Sequence, residues 1–116
     1  MRDGLLLGKS KCFALKTIKL YKHIREQKKE FVLSTQFLKS GTSIGANIKE
    51  GAFAQSKADF ISKLFIAQKE CAETEYWLEL LNESGYISDL EFKGIYDDCQ
   101  ELMRLLVAST KTLQGK

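Results

Sequence analysis

Phe60, Leu64, Ala67, Cys71, Thr74, Leu78 and Leu81 recur at alternating steps of four and three residues. A strand repeats every two residues and cannot produce this rhythm, so residues 60–81 must be a helix with one long buried seam. Ser56 with Asp59 three residues on supplies a capping-box start, and Gly85 is the natural left-handed residue just past the end. A second capping pair, Ser88 with Glu91, opens another helix, whose Phe92, Ile95, Cys99, Leu102, Leu106 and Leu113 continue a similar rhythm. Two long seams joined by a turn of a few residues must lie antiparallel and side by side.

The first half of the chain reads the same way. Phe13, Thr17, Leu20, Tyr21 and Ile24 form an apolar stripe at helical spacing, and a lysine-rich connection leads from it to a further helical segment. The expected helices span 10–26, 31–53, 57–84 and 89–113. They predict an all-α, antiparallel up-down-up-down four-helix bundle, one domain over residues 1–116. That length suits a single core, and the absence of proline leaves nothing that forces a helix to kink.

Composition excludes several classes. With 44% hydrophobic and 28% charged residues the chain is neither disordered nor membrane-spanning in character. Its longest uncharged runs fall far short of the roughly 20 apolar residues a bilayer requires. Leu5, Leu6 and Leu7 are too brief a run for a signal-peptide core, so a cytoplasmic protein with no membrane partner is expected. The three cysteines, Cys12, Cys71 and Cys99, show no CxxC spacing and sit among apolar helical positions. They read as buried free thiols in a reducing compartment.

Residues 36–50 carry an unusual polar stripe. Gln36, Ser40, Ser43, Asn47 and Glu50 line one helix face, beside an apolar stripe of Leu33, Phe37, Ile44 and Ile48. Asn47 is a poor mid-helix residue, which argues that its side chain bonds something specific. Hydrogen bonding across the core or a subunit interface is the favoured reading; a solvated face and a ligand-lined cavity are the alternatives. Gly41 and Gly45 each cost roughly 1 kcal/mol against alanine inside a helix, a loss that close packing should recover.

No catalytic, metal or cofactor site emerges. Residues 41–45 read GTSIG, a literal GxSxG, yet a nucleophile elbow needs a strand before the serine and a histidine after it. Here helix precedes the serine, and the sole histidine, His23, lies upstream. Glu70, Glu73, Glu75 and Glu79 invite a di-metal reading, but no Glu-x-x-His accompanies them. Solvated charge or partner contact is the expectation for these carboxylates, and His23 is expected to be exposed. Tyr76 and Trp77 flank the seam of residues 60–81; they fit a subunit contact or a core that wraps further round.

Charge is the best pointer to a partner. Residues 1–40 hold ten Lys and Arg against three Asp and Glu, net +7; residues 41–116 hold eight against twelve, net −4. Lys9, Lys16, Lys19 and Lys22 fall within an arc of about 140° at 100° per residue, opposite the apolar stripe. With Lys28 and Lys29 they are the candidate contacts to RNA or DNA backbone, since phosphate binding requires only clustered cations. An ordinary solvated face is the alternative.

The run Gln36, Ser40, Ser43-Ile44, Ala46-Asn47-Ile48 and Glu50, then Ser56, Asp59-Phe60 and the later KECAETEYWL, resembles the bacterial 23S rRNA intervening-sequence (S23-type) proteins. The resemblance runs from about Phe13 to Leu113. It implies a four-helix protomer assembled into a ring-shaped pentamer. Some members of that family are encoded inside insertions in ribosomal RNA genes, and a related branch serves diversity-generating retroelements as an accessory protein with a basic ring. This chain departs from that branch in its modest net charge and acidic second half. For most members no biochemical activity is established. The expectation is a non-enzymatic homo-oligomer, a pentamer as the resemblance implies, acting as a binding or scaffold module on RNA or DNA. The alternative is a protein–protein adaptor without nucleic-acid binding.

Overall fold

The computed structural model of the chain describes residues 2–116. Four helices account for nearly all of them: α1 (Arg2–Lys28), α2 (Val32–Ala52), α3 (Lys57–Glu83) and α4 (Asp89–Leu113). The connections are 29–31, 53–56 and 84–88, too short for anything but antiparallel neighbours. Each helix packs on its neighbour in the chain, and α4 closes back on α1 through the least extensive of the four contacts. The bundle measures 45 × 22 × 19 Å.

The core forms where the heptad seams meet. Leu64, Ala67, Cys71, Thr74, Leu78 and Leu81 of α3 are all buried, as are Ile95, Cys99, Leu102 and Leu106 of α4. Phe37, Ile44 and Ile48 of α2 and Phe13, Thr17 and Ile24 of α1 close the other side. Truncating any of these large aliphatic side chains to alanine should cost about 2–5 kcal/mol.

Helix ends follow local chemistry. Ser88 Oγ accepts from the Glu91 amide at 3.1 Å while Glu91 Oε1 accepts from the Ser88 amide at 2.8 Å, a complete capping box. At α3 the box is half made: Ser56 Oγ accepts from the Asp59 amide, but the Asp59 carboxylate reaches the Gln55 amide instead. Gly85 takes φ +84°, and the Tyr86 amide donates to the Leu81 carbonyl at 2.8 Å, which completes a Schellman turn.

The sequence places the start of α1 about eight residues too late. Gly4 and Gly8 are weak helix formers and hide the continuation, yet Leu6 is only 1% exposed and Ser10 is buried with it. These two residues extend the stripe of Phe13 and Thr17 by one heptad, and burial of Leu6 outweighs the propensity of two glycines. The start of α2 also holds a feature the sequence reading missed. Glu30 is buried, and its carboxylate accepts hydrogen bonds from the amides of Val32, Leu33 and Ser34. Free N–H groups of a helix end draw a carboxylate by both hydrogen bonding and dipole.

Candidate functional site

The basic arc of α1 divides into two sets. Lys9, Lys16 and His23, one heptad apart, lie on the edge that faces α4. There Lys9 Nζ meets Glu101 Oε1 at 3.3 Å, Lys16 Nζ meets Asp98 Oδ2 at 2.7 Å, and His23 Nε2 lies 3.7 Å from Glu91 Oε2. The hydrogen bond to Asp98, then its charge, raises the Lys16 ammonium above the usual lysine value. All three pairs are substantially solvated, so each stabilises by no more than about 1 kcal/mol. A groove of about 330 Å³ between Lys16, Lys19, His23 and Glu91 follows the same seam.

Lys19, Lys22, Lys28 and Lys29 belong to the second set. All four are exposed, and among the described residues none of them forms an ion pair. Thus the six lysines singled out in the sequence do not share one face: two are engaged by α4 and four are presented to solvent. Angular position on one helix is readable from sequence. The azimuth of the acidic neighbour is not.

The polar stripe of α2 runs along the α2–α3 seam. Ser40 is buried, and the Thr74 hydroxyl donates to its Oγ at 2.9 Å across that seam. Glu50 Oε1 pairs with Lys63 Nζ of α3 at 3.1 Å. Ser43 donates to the Lys39 carbonyl at 2.6 Å and Asn47 to the Ser43 carbonyl at 2.8 Å, both within α2. Gln36 is half-buried on the same side. Gly41 and Gly45 face α1 instead. A Cβ on Gly41 would stand 2.8 Å from Thr17 Cγ2, and one on Gly45 would stand 3.2 Å from Ser10 Oγ. The GxSxG sequence is thus interior to a helix and serves packing: the Ser43 hydroxyl is spent on its own backbone, and His23 pairs with α4.

The carboxylates of α3 are more ordered than a solvated face would be. The Tyr96 hydroxyl donates to Glu79 Oε2 at 2.9 Å, and this bond is the main reason its pKa is pushed up to about 12. Burial, then the charge of Glu79, raises Glu75; burial, then Glu73, raises Glu70. Among the described residues no group of three or more His, Cys, Asp or Glu is placed to hold a metal ion. Trp77 Nε1 donates to Glu73 at 3.2 Å while its ring packs on the core, and Tyr76 stands edge-on to it with half its surface exposed.

The cysteines need one correction. Cys71 and Cys99 are buried free thiols, with Cys99 Sγ donating to the Cys71 carbonyl at 3.5 Å, but Cys12 is exposed. It lies beside Lys9 and Lys16 in the α1–α4 groove rather than under the apolar stripe.

The sequence profile of the 23S rRNA-intervening sequence proteins matches residues 3–108. The chain belongs to this family. A crystal structure of a protein of unknown function from the S23 ribosomal protein family of Bacteroides thetaiotaomicron is 50% identical. It superposes with a TM-score of 0.94 over 96% of this chain and 99% of the other. A search of curated proteins finds no match. The 23S rRNA-intervening sequence family thus accounts for the four-helix architecture, and it brings no catalytic assignment with it. No helix among the described residues is long and apolar enough to cross a membrane.

Proposed function

We propose that this protein is a non-catalytic, self-associating binding module whose α1 surface contacts the phosphate backbone of RNA or DNA. The split of the α1 cations carries the reading. Lys19, Lys22, Lys28 and Lys29 are exposed and form no ion pair among the described residues, while Glu101, Asp98 and Glu91 of α4 lie against Lys9, Lys16 and His23. Of the four exposed lysines, Lys28 is near enough to Glu91 for its charge to help hold that carboxyl below its usual value. Cations without local counter-charge are the ones that release condensed counterions when they meet phosphate. Exposed Phe65 and Tyr76 on α3 support self-association, and a ring such as a pentamer would set copies of the α1 patch side by side. The buried free thiols Cys71 and Cys99 support a reducing, cytoplasmic setting.

Salt-titrated binding to mixed-sequence RNA and DNA tests the reading. Changing Lys19 and Lys22 to Glu should weaken binding and flatten the dependence of log K on log salt by about 0.7–0.9 for each lost contact. Binding that is undetectable at low salt, or indifferent to these changes, rejects it. Scattering mass in solution tests self-association separately, with a monomer as the contrary result. The second reading, an adaptor for another protein through the aromatic outer face of α3, rests on Tyr76 and Phe65 alone. It predicts that Tyr76→Ser abolishes partner binding without touching nucleic-acid affinity.

A further inference from the structure

Where α1 ends, three side chains form a ladder. The Arg25 guanidinium lies over the Tyr21 ring at 5.4 Å and over the Phe31 ring at 4.9 Å. Tyr21 and Arg25 are one helical turn apart on α1, and Phe31 enters from the other side of the turn as the N-cap of α2. Phe31 remains 49% exposed, so a large apolar ring is left open to solvent beside a cation. Arg25 forms no ion pair among the described residues, and Lys22, Lys28 and Lys29 around it are exposed and likewise outside ion-pair distance of a carboxylate, with Lys28 acting only through its charge on Glu91 of α4. Of the two acids in this stretch, Glu30 has its carboxylate turned onto the backbone amides of α2, while Glu26 is exposed on α1.

We propose that this end of the bundle binds unpaired nucleic acid, with a base stacked on the Phe31–Arg25–Tyr21 ladder and the flanking phosphates held by Lys22, Lys28 and Lys29. Stacking on aromatic rings and guanidinium planes, combined with a basic track, is how proteins hold single strands without reading their sequence. The chemistry suits RNA and DNA alike, because both offer a planar base between two phosphates. A duplex keeps its bases sealed in the stack and offers only its backbone, so the ladder confers a preference for single strands that lysines alone would not. An anionic bilayer would use the same lysines but gains nothing from a guanidinium set against two aromatic rings. The inference rests on the reading of α1 as a phosphate-contacting surface and adds the form of nucleic acid that surface selects.

The experiment uses the full chain with labelled oligo(U), oligo(dT) and blunt RNA and DNA duplexes, each about 20 nucleotides long, longer than a typical single site. Vesicles of phosphatidylglycerol and phosphatidylcholine form a further arm. Single strands should bind more tightly than duplexes of the same sugar. Phe31→Ala should weaken single-strand binding about 5- to 100-fold and leave duplex binding unchanged, while Phe31→Trp retains it. Lys28→Ala with Lys29→Ala should instead lower affinity for both forms and flatten both salt slopes. Oligo(U) against oligo(dT) reports which sugar is preferred, and either order supports the stacking site. Equal binding of single strands and duplexes, with Phe31→Ala silent, overturns the stacking inference and leaves backbone contact standing. No binding to any nucleic acid at low salt overturns both. Phe31-dependent binding seen only with vesicles assigns the ladder to a bilayer and overturns the inference as well. Because Phe31 is half-exposed, the alanine variant should melt like the parent, which separates lost binding from lost fold.

Discussion

Lys29 holds φ at +54°, a left-handed backbone that costs an ordinary side chain about 1–2 kcal/mol. It sits between the last residue of α1 and the buried Glu30, so the strain is what lets the chain reverse within 29–31. Lys29→Gly should therefore stabilise the fold by about 1 kcal/mol, measured as a higher urea midpoint at unchanged slope. A neutral or lower midpoint would mean that the lysine finds compensation in its surroundings. Glu30→Ala should act in the opposite sense. It strips the amides of Val32, Leu33 and Ser34 of their acceptor and should cost about 1–2 kcal/mol, as loss of a strong helix cap does. Neither residue announces itself in the sequence. A lysine pair followed by glutamate looks like a solvated connection, and only the tight reversal between α1 and α2 turns that carboxylate inward.

Helix packing explains which glycines matter. Gly41 faces Thr17, a stiff, fully buried side chain, and a Cβ there would stand 2.8 Å from its methyl group. Gly8 and Gly94 have nothing within 4 Å of an added Cβ. Gly8→Ala and Gly94→Ala should each stabilise the protein by about 0.5–1 kcal/mol through helix propensity. Gly41→Ala should destabilise it by about 1–2 kcal/mol net, since overpacking exceeds the propensity gain. Adding Thr17→Ala should recover part of that loss, and thermal melts of the four variants decide the point. The α3–α4 pair carries a pH signature through Tyr96. Its folded-state pKa, about 12, lies above the ordinary value of 10.0, so the bond to Glu79 contributes fully below pH 10 and is lost as pH rises toward 12. Tyr96→Phe should remove this part of the alkaline loss of stability, and phenolate absorbance should show the last-titrating tyrosine gone. At this scale the sequence was highly legible along 60–81 and 88–113, where heptad spacing is dense and caps bracket both helices. It misled at Gly4 and Gly8, because propensity is local whereas burial of Leu6 depends on the other three helices.

Across the whole molecule, the basic first third and acidic remainder fold into neighbours, and α1 meets α4 through complementary charges on successive heptads. Changing Asp98→Asn and Glu101→Gln together should alter stability by less than about 1 kcal/mol, as solvated pairs do. The same change frees Lys9 and Lys16, and the dependence of log K on log salt for RNA should steepen by about 1–2 units. An unchanged slope would mean that phosphate never reaches this side of α1. The sequence revealed the charge imbalance and a candidate set of lysines. Their division, and the Arg25 ladder, come from the placement of α4 and of the α1–α2 turn, which no single-helix periodicity encodes.

Burial also sorts the three thiols by position. Cys12 is open to reagent, while Cys71 and Cys99 are sealed together between α3 and α4. A thiol-specific dye should thus count one equivalent in the native protein and three after denaturation. The rate at which the second and third appear under native conditions measures how often α3 and α4 part, a clock for internal opening that the chain carries without any engineered probe.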